Sequence, residues 1–268
     1  GRTLTKVVGD FVDEYKAEDA EFVTYKPLTD DDIEKLENEY DVILEYSGYK
    51  DVKVESGDLD GATIRVFAKP EKLNLYDVRD GHEPGDGETL LTQDFADAHN
   101  IKVGDEISLG DHSYKVSAYT TKSDYIYMLQ TFTGFIDNEK FAVMIVDRQE
   151  YDKIDAEETA YYSIKYNKDN SKEVRKRLNK DYVIASYMAA TTNTRISMPV
   201  NEGDAVSNMA TMFAPVMFII VLTLIVMVLG RNIKSEQYLL GTFISLGFSR
   251  KQIVGHYVRY GLIPGVIG

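Results

Sequence analysis

The sequence of 268 residues has no cysteine and few histidines. Without cysteine the chain can form no disulfide, no thiolate metal site and no thiol nucleophile, which suits an exported bacterial domain without proving one. The four histidines (His82, His99, His112 and His256) fall in no metal-binding spacing such as His-x-x-x-His. Neither residue type therefore nominates a metal site or a thiol reaction.

Enzyme motifs are missing as well. The sequence contains no Gly-x-Ser-x-Gly elbow, no Walker lysine and no Gly-x-Gly-x-x-Gly after a strand. The glycine-rich stretch 81–87 is acidic and is predicted to be a connector, and the acids at 30–32 suit the first turn of a helix better than a cation site. Carboxylates are too numerous for any pair to stand out as a catalytic dyad. We expect no catalytic, cofactor or metal site in this chain.

Basic residues are in short supply. The chain has 30 Lys and Arg against 44 Asp and Glu, a net charge of −14. Because nucleic-acid phosphates would be repelled by such a surface, the composition argues against nucleic-acid binding. Otherwise an acidic surface indicates little beyond solubility.

Residues 209–230 contain no charged side chain at all. A helix over this run is roughly 33 Å long, enough to cross a hydrocarbon core of ~30 Å. A buried helix of a soluble protein is the alternative, but such helices rarely stay apolar on every face over this length. We predict a membrane helix over 207–230.

The charges on the two sides of this run predict its orientation. Residues 1–206 have a net charge of −18, whereas residues 231–268 have a net charge of +4. Arg231 and Lys234 follow the apolar run directly, while Glu202 and Asp204 precede it. By the positive-inside tendency, residues 1–206 lie on the outer face of a bacterial cell membrane and the C-terminal side faces the cytoplasm.

The outer segment, residues 1–206, is predicted to be an α+β domain with a mixed sheet and one large core or two smaller ones. Helices are predicted over 3–15, after the capping residue Thr29, and over 171–179. Strands are predicted around 42–54, 63–67, 141–146, 161–166 and 182–187, with a hairpin that turns at 110–111. A short helix is predicted over 89–100, with Leu90, Leu91, Phe95 and Ala98 facing inward.

Three further local features are interpreted from residue type. The cluster Tyr119, Tyr125 and Tyr127 is predicted to lie on a strand, with an aromatic ligand-binding surface as the alternative. Gly48 is predicted to interrupt the strands around it. Residues 191–207 are polar and are predicted to be a linker into the membrane helix.

The ends of the sequence suggest that it belongs to a longer protein. No signal peptide is visible, and the sequence stops within a new apolar run at 260–268. We expect a piece of a polytopic membrane protein, in which residues 257–268 begin the next membrane helix.

The most specific pattern follows the predicted membrane helix. Its elements are Glu236, Leu240-Gly241-Thr242, Leu246-Gly247 and Ser249-Arg250-Lys251-Gln252-Ile253. Together they resemble the FtsX/MacB-type permease family of ABC transporters, although Phe243 and Ile244 stand where that family often has a leucine and a basic residue. In the outer segment, Phe95-Ala96 and residues 101–107 look like a stretch of the family's extracytoplasmic domain, so the fold expected there is MacB-periplasmic-core-like.

The resemblance implies a fragment of a permease subunit that does no chemistry itself. A cytoplasmic ABC ATPase partner would hold ATP and Mg²⁺ and would move a coupling segment at 231–256, and the movement would pass through the membrane helix to the outer domain. A permease homo- or heterodimer and an unknown extracytoplasmic substrate or partner protein are implied too. The ATPase-coupling residues carried over from the family are Glu236, Leu239, Gly241, Phe243, Leu246, Gly247, Arg250, Lys251 and Ile253.

The residues of this segment also fit such a role on physical grounds. Residues 234–246 can form a short amphipathic helix on the cytoplasmic side of the membrane, and Gly247 suits the C′ position, which has a positive φ. Two other interpretations stay open. A membrane-anchored sensor or binding module without an ATPase would tolerate mutation of the segment, and an anchored enzyme would have a cleft with a perturbed carboxylate pair in the outer domain.

Overall fold

The computed structural model describes residues 4–55, 57–132, 134–235, 237–247, 249, 251 and 255. The chain divides into two compact units, Gly1–Asp204 and Ala205–Gly268. The sheet belongs to the first unit.

The secondary structure alternates between strands and short helices before it ends in helices. The helices are α1 (Leu4–Glu14), α2 (Asp30–Tyr40), α3 (Gln93–Ala98), α4 (Arg148–Lys153), α5 (Ser171–Asp181), α6 (Thr194–Ser235) and α7 (Gln237–Ser245). The strands are β1 (Ala20–Thr24), β2 (Val42–Lys53), β3 (Thr63–Ala68), β4 (Glu88–Thr92), β5 (Glu106–Leu109), β6 (His112–Thr120), β7 (Phe141–Val146), β8 (Glu158–Tyr166) and β9 (Ile184–Ala189).

The described strands form one nine-stranded sheet in the order β5-β6-β4-β7-β3-β2-β8-β1-β9. β3 pairs with β7 and β4 with β6 in parallel, and the other pairs are antiparallel. The α+β class with a mixed sheet is thus confirmed. The long strand β2 joins the two halves, because it pairs with β8 on one side and with β3 on the other.

Each half of the sheet packs its own apolar core. In the half formed by β3 to β7, with α3 and α4, the largest buried members are Ile64, Leu91, Phe95, Tyr114, Met144 and Tyr151. In the half formed by β1, β2 and β8, with α2 and α5, they are Phe22, Leu44, Ile164 and Leu178. A third cluster, around Phe67, Leu90, Tyr125 and Ile145, also belongs to the first half of the sheet, so the described residues form three apolar clusters rather than one large core.

Helix α2 begins at the predicted cap. The Thr29 Oγ1 accepts a hydrogen bond from the N–H of Asp32 at 3.2 Å, and the Asp32 Oδ2 accepts one from the N–H of Thr29 at 3.0 Å. This capping box satisfies two backbone donors that would otherwise lack a helical partner. The predicted helices α1 and α5 and the predicted β5–β6 hairpin are confirmed as well.

The prediction of a helix over 89–100 is wrong in its first part. Residues Glu88–Thr92 form β4, and only Gln93–Ala98 are helical. Leu90 and Leu91 are both fully buried, because β4 lies between β6 and β7 and is covered on both faces. A strand that is buried on both faces loses the polar alternation that identifies strands. Ala98, predicted to face inward, is exposed.

The prediction of a tyrosine-bearing strand is wrong for two of its three residues. Tyr119 belongs to β6, but Tyr125 and Tyr127 lie in turns and bends after that strand. Tyr125 is buried there by side-chain packing rather than by strand pairing. Gly48 does not interrupt a strand either. Gly48 lies inside β2 and pairs with Ala160 of β8. A Cβ at Gly48 would approach the Glu158 Oε1 to 2.6 Å.

The predicted linker at 191–207 is also corrected. The chain is helical from Thr194, and α6 continues to Ser235. The polar composition of its first turns reflects a polar environment in the first unit, described below, rather than a lack of structure.

Candidate functional site

A loop at residues 121–132, called here the 121–132 loop, contacts the segments that lead into and out of the sheet. After α1, the Tyr15 carbonyl oxygen accepts hydrogen bonds from the Ser123 Oγ at 3.1 Å and from the N–H of Leu75 at 2.9 Å. At the start of α6, the Thr194 Oγ1 donates to the Phe132 carbonyl oxygen at 3.0 Å. One loop therefore contacts the chain just after α1 and the first residue of α6.

Arg195 provides the main attachment of α6 to this loop. Its side chain is buried, with its Nε 2.8 Å from the Leu129 carbonyl oxygen and its Nη2 2.9 Å from the Gln130 carbonyl oxygen. The guanidinium also lies over the rings of Tyr125 at 4.4 Å and Phe132 at 4.3 Å. A planar cation that donates to two carbonyls and stacks between two rings holds the helix start in one orientation.

Pro199 contributes to the same attachment because it has no backbone N–H. Proline has no N–H, so the carbonyl oxygen of Arg195, four residues earlier, has no helical donor. That oxygen instead accepts the backbone N–H of Tyr127 at 3.2 Å. A proline inside a helix here releases a carbonyl group that the 121–132 loop uses.

Two ion pairs lie where the 121–132 loop meets the sheet, one within the loop and one on strands β2 and β3. Lys122 and Asp124 form a pair at 2.6 Å with both side chains almost fully buried, and the Lys122 Nζ lies 4.5 Å from the centre of the Phe67 ring. Arg65 on β3 donates to both carboxylate oxygens of Asp51, at 2.7 and 2.6 Å. Its third contact, 2.8 Å to the hydroxyl of Tyr125, connects this pair to the loop. The buried Lys122–Asp124 pair stabilises little by itself, but removing one partner would leave the other charge buried without a counter-ion.

Two neighbouring carboxylates, the buried Glu18 and the half-buried Glu21, lie beside these ion pairs, and the ion pairs and the two glutamates together are called here the polar layer. Asn74 binds Glu18 twice, accepting its N–H at 2.8 Å and donating to its Oε2 at 2.9 Å. Burial, followed by the nearby charges of Asp124 and Glu21, raises the pKa of Glu18 to about 8. Burial also raises the pKa of Glu21. The Oε1 of Glu18 is buried without a hydrogen-bond partner among the described residues, which favours the protonated carboxyl.

In the second unit, the structure describes only part of the predicted coupling segment. Gly241 and the backbones of Leu239 and Phe243 belong to α7, whereas the side chains of Leu239 and Phe243 lie outside the described residues. Gly247 follows α7 with φ +92°, and its N–H donates to the Ile244 carbonyl oxygen at 3.1 Å, so the predicted left-handed C′ glycine is confirmed. Leu246 is exposed, and Lys251 is described as helical.

The remaining predicted residues are not placed. Glu236, Arg250 and Ile253 lie outside the described residues, as do residues 256–268 with the predicted start of another membrane helix. The predicted coupling residues thus stay a prediction. Residues Met209–Val228 of α6 form an apolar helix long enough to cross a membrane, and none of it is buried among the described residues.

Neither a family model nor a curated protein matches the chain. Solved structures do. The extracellular domain of the noncanonic ABC-type transporter YknZ from Gram-positive bacteria is 16% identical, with a TM-score of 0.39, over 60% of this chain and 88% of that one.

Two other solved structures are similar. The periplasmic region of MacB from Actinobacillus actinomycetemcomitans is 9% identical, with a TM-score of 0.41, over 76% of this chain and 98% of that one. A putative lipoprotein from Bacillus anthracis is 8% identical, with a TM-score of 0.30, over 63% of this chain and 96% of that one. TM-scores this low leave the function to be argued from this chain's own residues.

The enzyme interpretation required a perturbed carboxylate pair in a cleft. The pair exists as Glu18 and Glu21, and a cleft of about 480 Å³ exists beside α2 and β2. The residues that line this cleft do not include either glutamate, and Glu18 is only 2% exposed. Neither of the two perturbed glutamates therefore lies in this cleft.

Sequence reasoning missed the polar layer entirely. Arg195 and Pro199 fell within the predicted linker, and Glu18 stood out from no pattern. One signal was present in the sequence: an arginine followed four residues later by a proline, just before an apolar helix. This spacing releases the arginine's carbonyl group in a helix, but the partner Tyr127 is distant in sequence.

Proposed function

We propose that this chain is part of a permease subunit of an ABC-type transporter or mechanotransmitter. The observation that carries the proposal is the order of elements after the sheet. A charge-free span, Met209–Val228, is followed by α7. Gly247, which has a left-handed backbone conformation, comes two residues after the end of α7 and belongs to the FtsX/MacB-like pattern. An apolar helix alone is common to many membrane proteins, so the segment after it makes the proposal specific.

In this proposal the outer domain lies outside a bacterial cell membrane, and the residues after the span lie in the cytoplasm. The two residues Arg231 and Lys234 support this orientation, because basic flanks stay on the cytoplasmic side. A cytoplasmic ATPase would bind ATP and Mg²⁺ and contact the coupling residues, and this chain would relay the movement without chemistry of its own. A second permease copy or homologue would complete the assembly.

The start of α6 supports a relay role for the outer domain. Arg195, Thr194 and the carbonyl group released by Pro199 attach the first turn of α6 to the 121–132 loop. A helix whose first turn is held by several directional contacts transmits a displacement to its surroundings better than one attached through a flexible linker. We therefore propose the 121–132 loop as the part of the outer domain that receives the movement.

Co-purification with the ATPase partner tests the proposal. The intact permease, expressed with the ATPase encoded beside it, would be purified in detergent as wild type and as Glu236→Lys and Gly247→Leu. Two matched controls change the same residue types elsewhere: Glu202→Lys on the opposite flank of the span, and Gly104→Leu, another glycine with positive φ. We expect the ATPase to accompany the wild type and both controls and to be lost from the coupling variants.

The contrary results are equally clear. If the folded, inserted wild type retains no ATPase, or if the coupling variants retain it as well as the controls do, the permease proposal fails. The second candidate, a membrane-anchored binding module without an ATPase, would then take its place. The cleft beside β2 is the specific observation in its favour.

A further inference from the structure

Strand β2 has an unpaired edge in the middle of the sheet. It pairs with β8 through residues 42–50, but with β3 only through residues 49–53. Beyond Phe67 the chain diverges from β2 instead of continuing the ladder. Within the described part of the chain, residues 44–48 therefore have a strand neighbour on the β8 side and none on the β3 side.

The backbone groups that face this gap follow from the alternation of an antiparallel strand. Val54, next after β2, exchanges hydrogen bonds with Ala62 and Gly61 on the β3 side, whereas Asp41, just before β2, accepts one on the β8 side from Asn167. The backbone N–H and C=O groups of the even-numbered residues of β2 thus point to the gap. At Leu44, Tyr46 and Gly48 both the N–H and the C=O face it.

At one of these positions a side chain already accepts the hydrogen bond that a neighbouring strand would accept. The N–H of Leu44 donates to the Glu37 Oε1 at 2.9 Å, where a neighbouring strand would present a carbonyl oxygen. The same carboxylate is paired with the Lys72 Nζ at 2.9 Å. A carboxylate that occupies a ladder position marks the edge as one that can pair with a strand offering a carbonyl oxygen.

The gap opens into the cleft of about 480 Å³, called here the β2 cleft. One wall is the edge 44–48, the opposite wall is the segment 67–72, and Ile33, Glu34 and Glu37 of α2 lie along it. Five residues of strand extend about 17 Å, and the volume is within the usual range of ligand sites. The space therefore suits a short extended peptide better than a compact cofactor.

The free charges around the cleft are negative. Its cations are engaged: Lys69 pairs with Asp147 at 2.9 Å, and Arg148 pairs with Asp152 at 3.0 Å. Asp30, Glu34 and Glu71 line the cleft and are exposed, and no ion pair is described for them within the described part of the chain. Unpaired carboxylates at the rim favour an occupant that carries Lys or Arg.

We propose that the β2 cleft binds an extended, basic peptide segment of another protein, which adds as a strand to residues 44–48. The occupant's carbonyl replaces the Glu37 carboxylate on the N–H of Leu44, and its backbone pairs with Tyr46 and Gly48. Backbone pairing supplies affinity and the acidic rim supplies the preference for basic side chains. This inference is independent of the proposed transport role, because it concerns only the first unit.

Binding of designed strand peptides to the full chain in detergent tests the proposal. The probes are fluorescent, acetylated heptapeptides of alternating Lys and Val, and the same peptides with Glu or Ser in place of Lys. Anisotropy titrations are expected to show saturable binding of the Lys peptide, at least about tenfold tighter than that of the Glu peptide. Failure of all three peptides to bind would overturn the proposal.

N-methylated probes separate strand addition from simple charge attraction. A strand bonds through the amides of alternate residues, so methylating only the Lys amides or only the Val amides blocks one edge of the peptide and leaves the other intact. We expect one of these two peptides to keep its affinity and the other to lose at least about tenfold. Equal binding of both would show that the contact is electrostatic and not a strand addition.

Variants of the protein locate the site. Ala68→Trp fills the cleft and Glu34→Lys reverses a rim charge. The matched controls are Ser186→Trp, at an exposed position of β9, and Glu39→Lys, at an exposed position of α2 outside the cleft. The two cleft variants are expected to weaken the Lys peptide at least about fivefold, and the controls to change it less than about twofold. If Ala68→Trp does not fold, Glu34→Lys against Glu39→Lys decides alone, and equal affinities in that pair would refute the proposal.

Discussion

The backbone N–H of Tyr127 donates to the carbonyl oxygen of Arg195 across 3.2 Å, at the position in α6 where Pro199 has no N–H to offer. This hydrogen bond joins two segments that are distant in the sequence, because the proline leaves a helical carbonyl group without its usual donor. The Arg195 side chain extends the same junction by donating to the carbonyl groups of Leu129 and Gln130. The first turn of α6 thus begins in the polar layer of the first unit.

Replacing Arg195 should destabilise this junction strongly. Arg195→Ala leaves the Leu129 and Gln130 carbonyl groups without their buried donor, and it removes a cation stacked between two rings. We expect a loss of about 3 kcal/mol in unfolding free energy, in the range for a broken buried polar network. Arg175→Ala is the matched control, because Arg175 lies over the Tyr187 ring near the surface and should cost less than about 1 kcal/mol. Denaturant unfolding of both variants measures the difference, and equal losses would contradict the assignment.

Restoring the missing N–H tests the role of Pro199 directly. In Pro199→Ala the alanine N–H can donate to the Arg195 carbonyl oxygen, in competition with the N–H of Tyr127. We expect the Tyr127 amide to exchange its hydrogen at least about tenfold faster, while the new amide at 199 becomes protected. Amide hydrogen exchange followed by mass spectrometry reports both sites. An unchanged rate at Tyr127 would show that its hydrogen bond does not depend on the proline.

Features that depend on residues close together in the sequence could be predicted, whereas features that depend on distant residues could not. The cap of α2 depends on Thr29 and Asp32, three residues apart, and the hairpin turn at Gly110 is equally local, so both were predictable. Strand β4 was not, because burial on both faces removed its alternation. The buried polar layer was invisible, since Arg195 meets residues some 65 positions earlier in the chain and Asn74 meets a glutamate 56 positions earlier.

The coupling segment shows a different balance. The resemblance nominated its residues and the spacing predicted a helix that ends at glycine, and the backbone of α7 and the φ of Gly247 agree with that prediction. What such residues touch depends on a partner protein. No pattern within one chain specifies those contacts, so the coupling roles stay a prediction that the co-purification experiment tests.

Gly81 should tolerate no side chain. A Cβ at this position would lie 1.9 Å from the backbone carbonyl oxygen of Ser117, which also accepts the N–H of His82. Because the obstructing atom belongs to a buried strand, Gly81→Ala is expected to cost about 1–3 kcal/mol through displaced backbone. Gly9→Ala in α1 is the control, since nothing lies within 4 Å of a Cβ there and alanine favours a helix. Thermal unfolding should therefore shift in opposite directions for the two variants, and a neutral Gly81→Ala would contradict the packing.

The protonation of Glu18 should appear in the pH dependence of stability. Its ordinary pKa is 4.5, and in the folded protein burial raises the pKa to about 8. Between these values the folded state keeps a proton that the unfolded state has lost, so stability must fall as pH rises from about 4.5 to about 8. Glu18→Gln imitates the protonated carboxyl, so it should remove this part of the fall. The expected difference between wild type and Glu18→Gln therefore grows with pH to a few kcal/mol at about pH 8.

Denaturant unfolding of wild type and variant at several pH values between about 4.5 and 8 measures that difference. Glu157→Gln serves as the control, because Glu157 is exposed at the surface and its replacement should leave the slope of stability against pH unchanged. The groups that face Glu18 and Glu21 are Asp124, Lys122 and Arg195, together with the neutral Asn74 and Ser163. Because burial raises the pKa of Glu21 as well, Glu21→Gln should also reduce the slope. A wild-type slope that Glu18→Gln leaves intact would mean that Glu18 is ionised in the folded domain, and that its charge is compensated by Lys122 or Arg195 rather than removed by a proton.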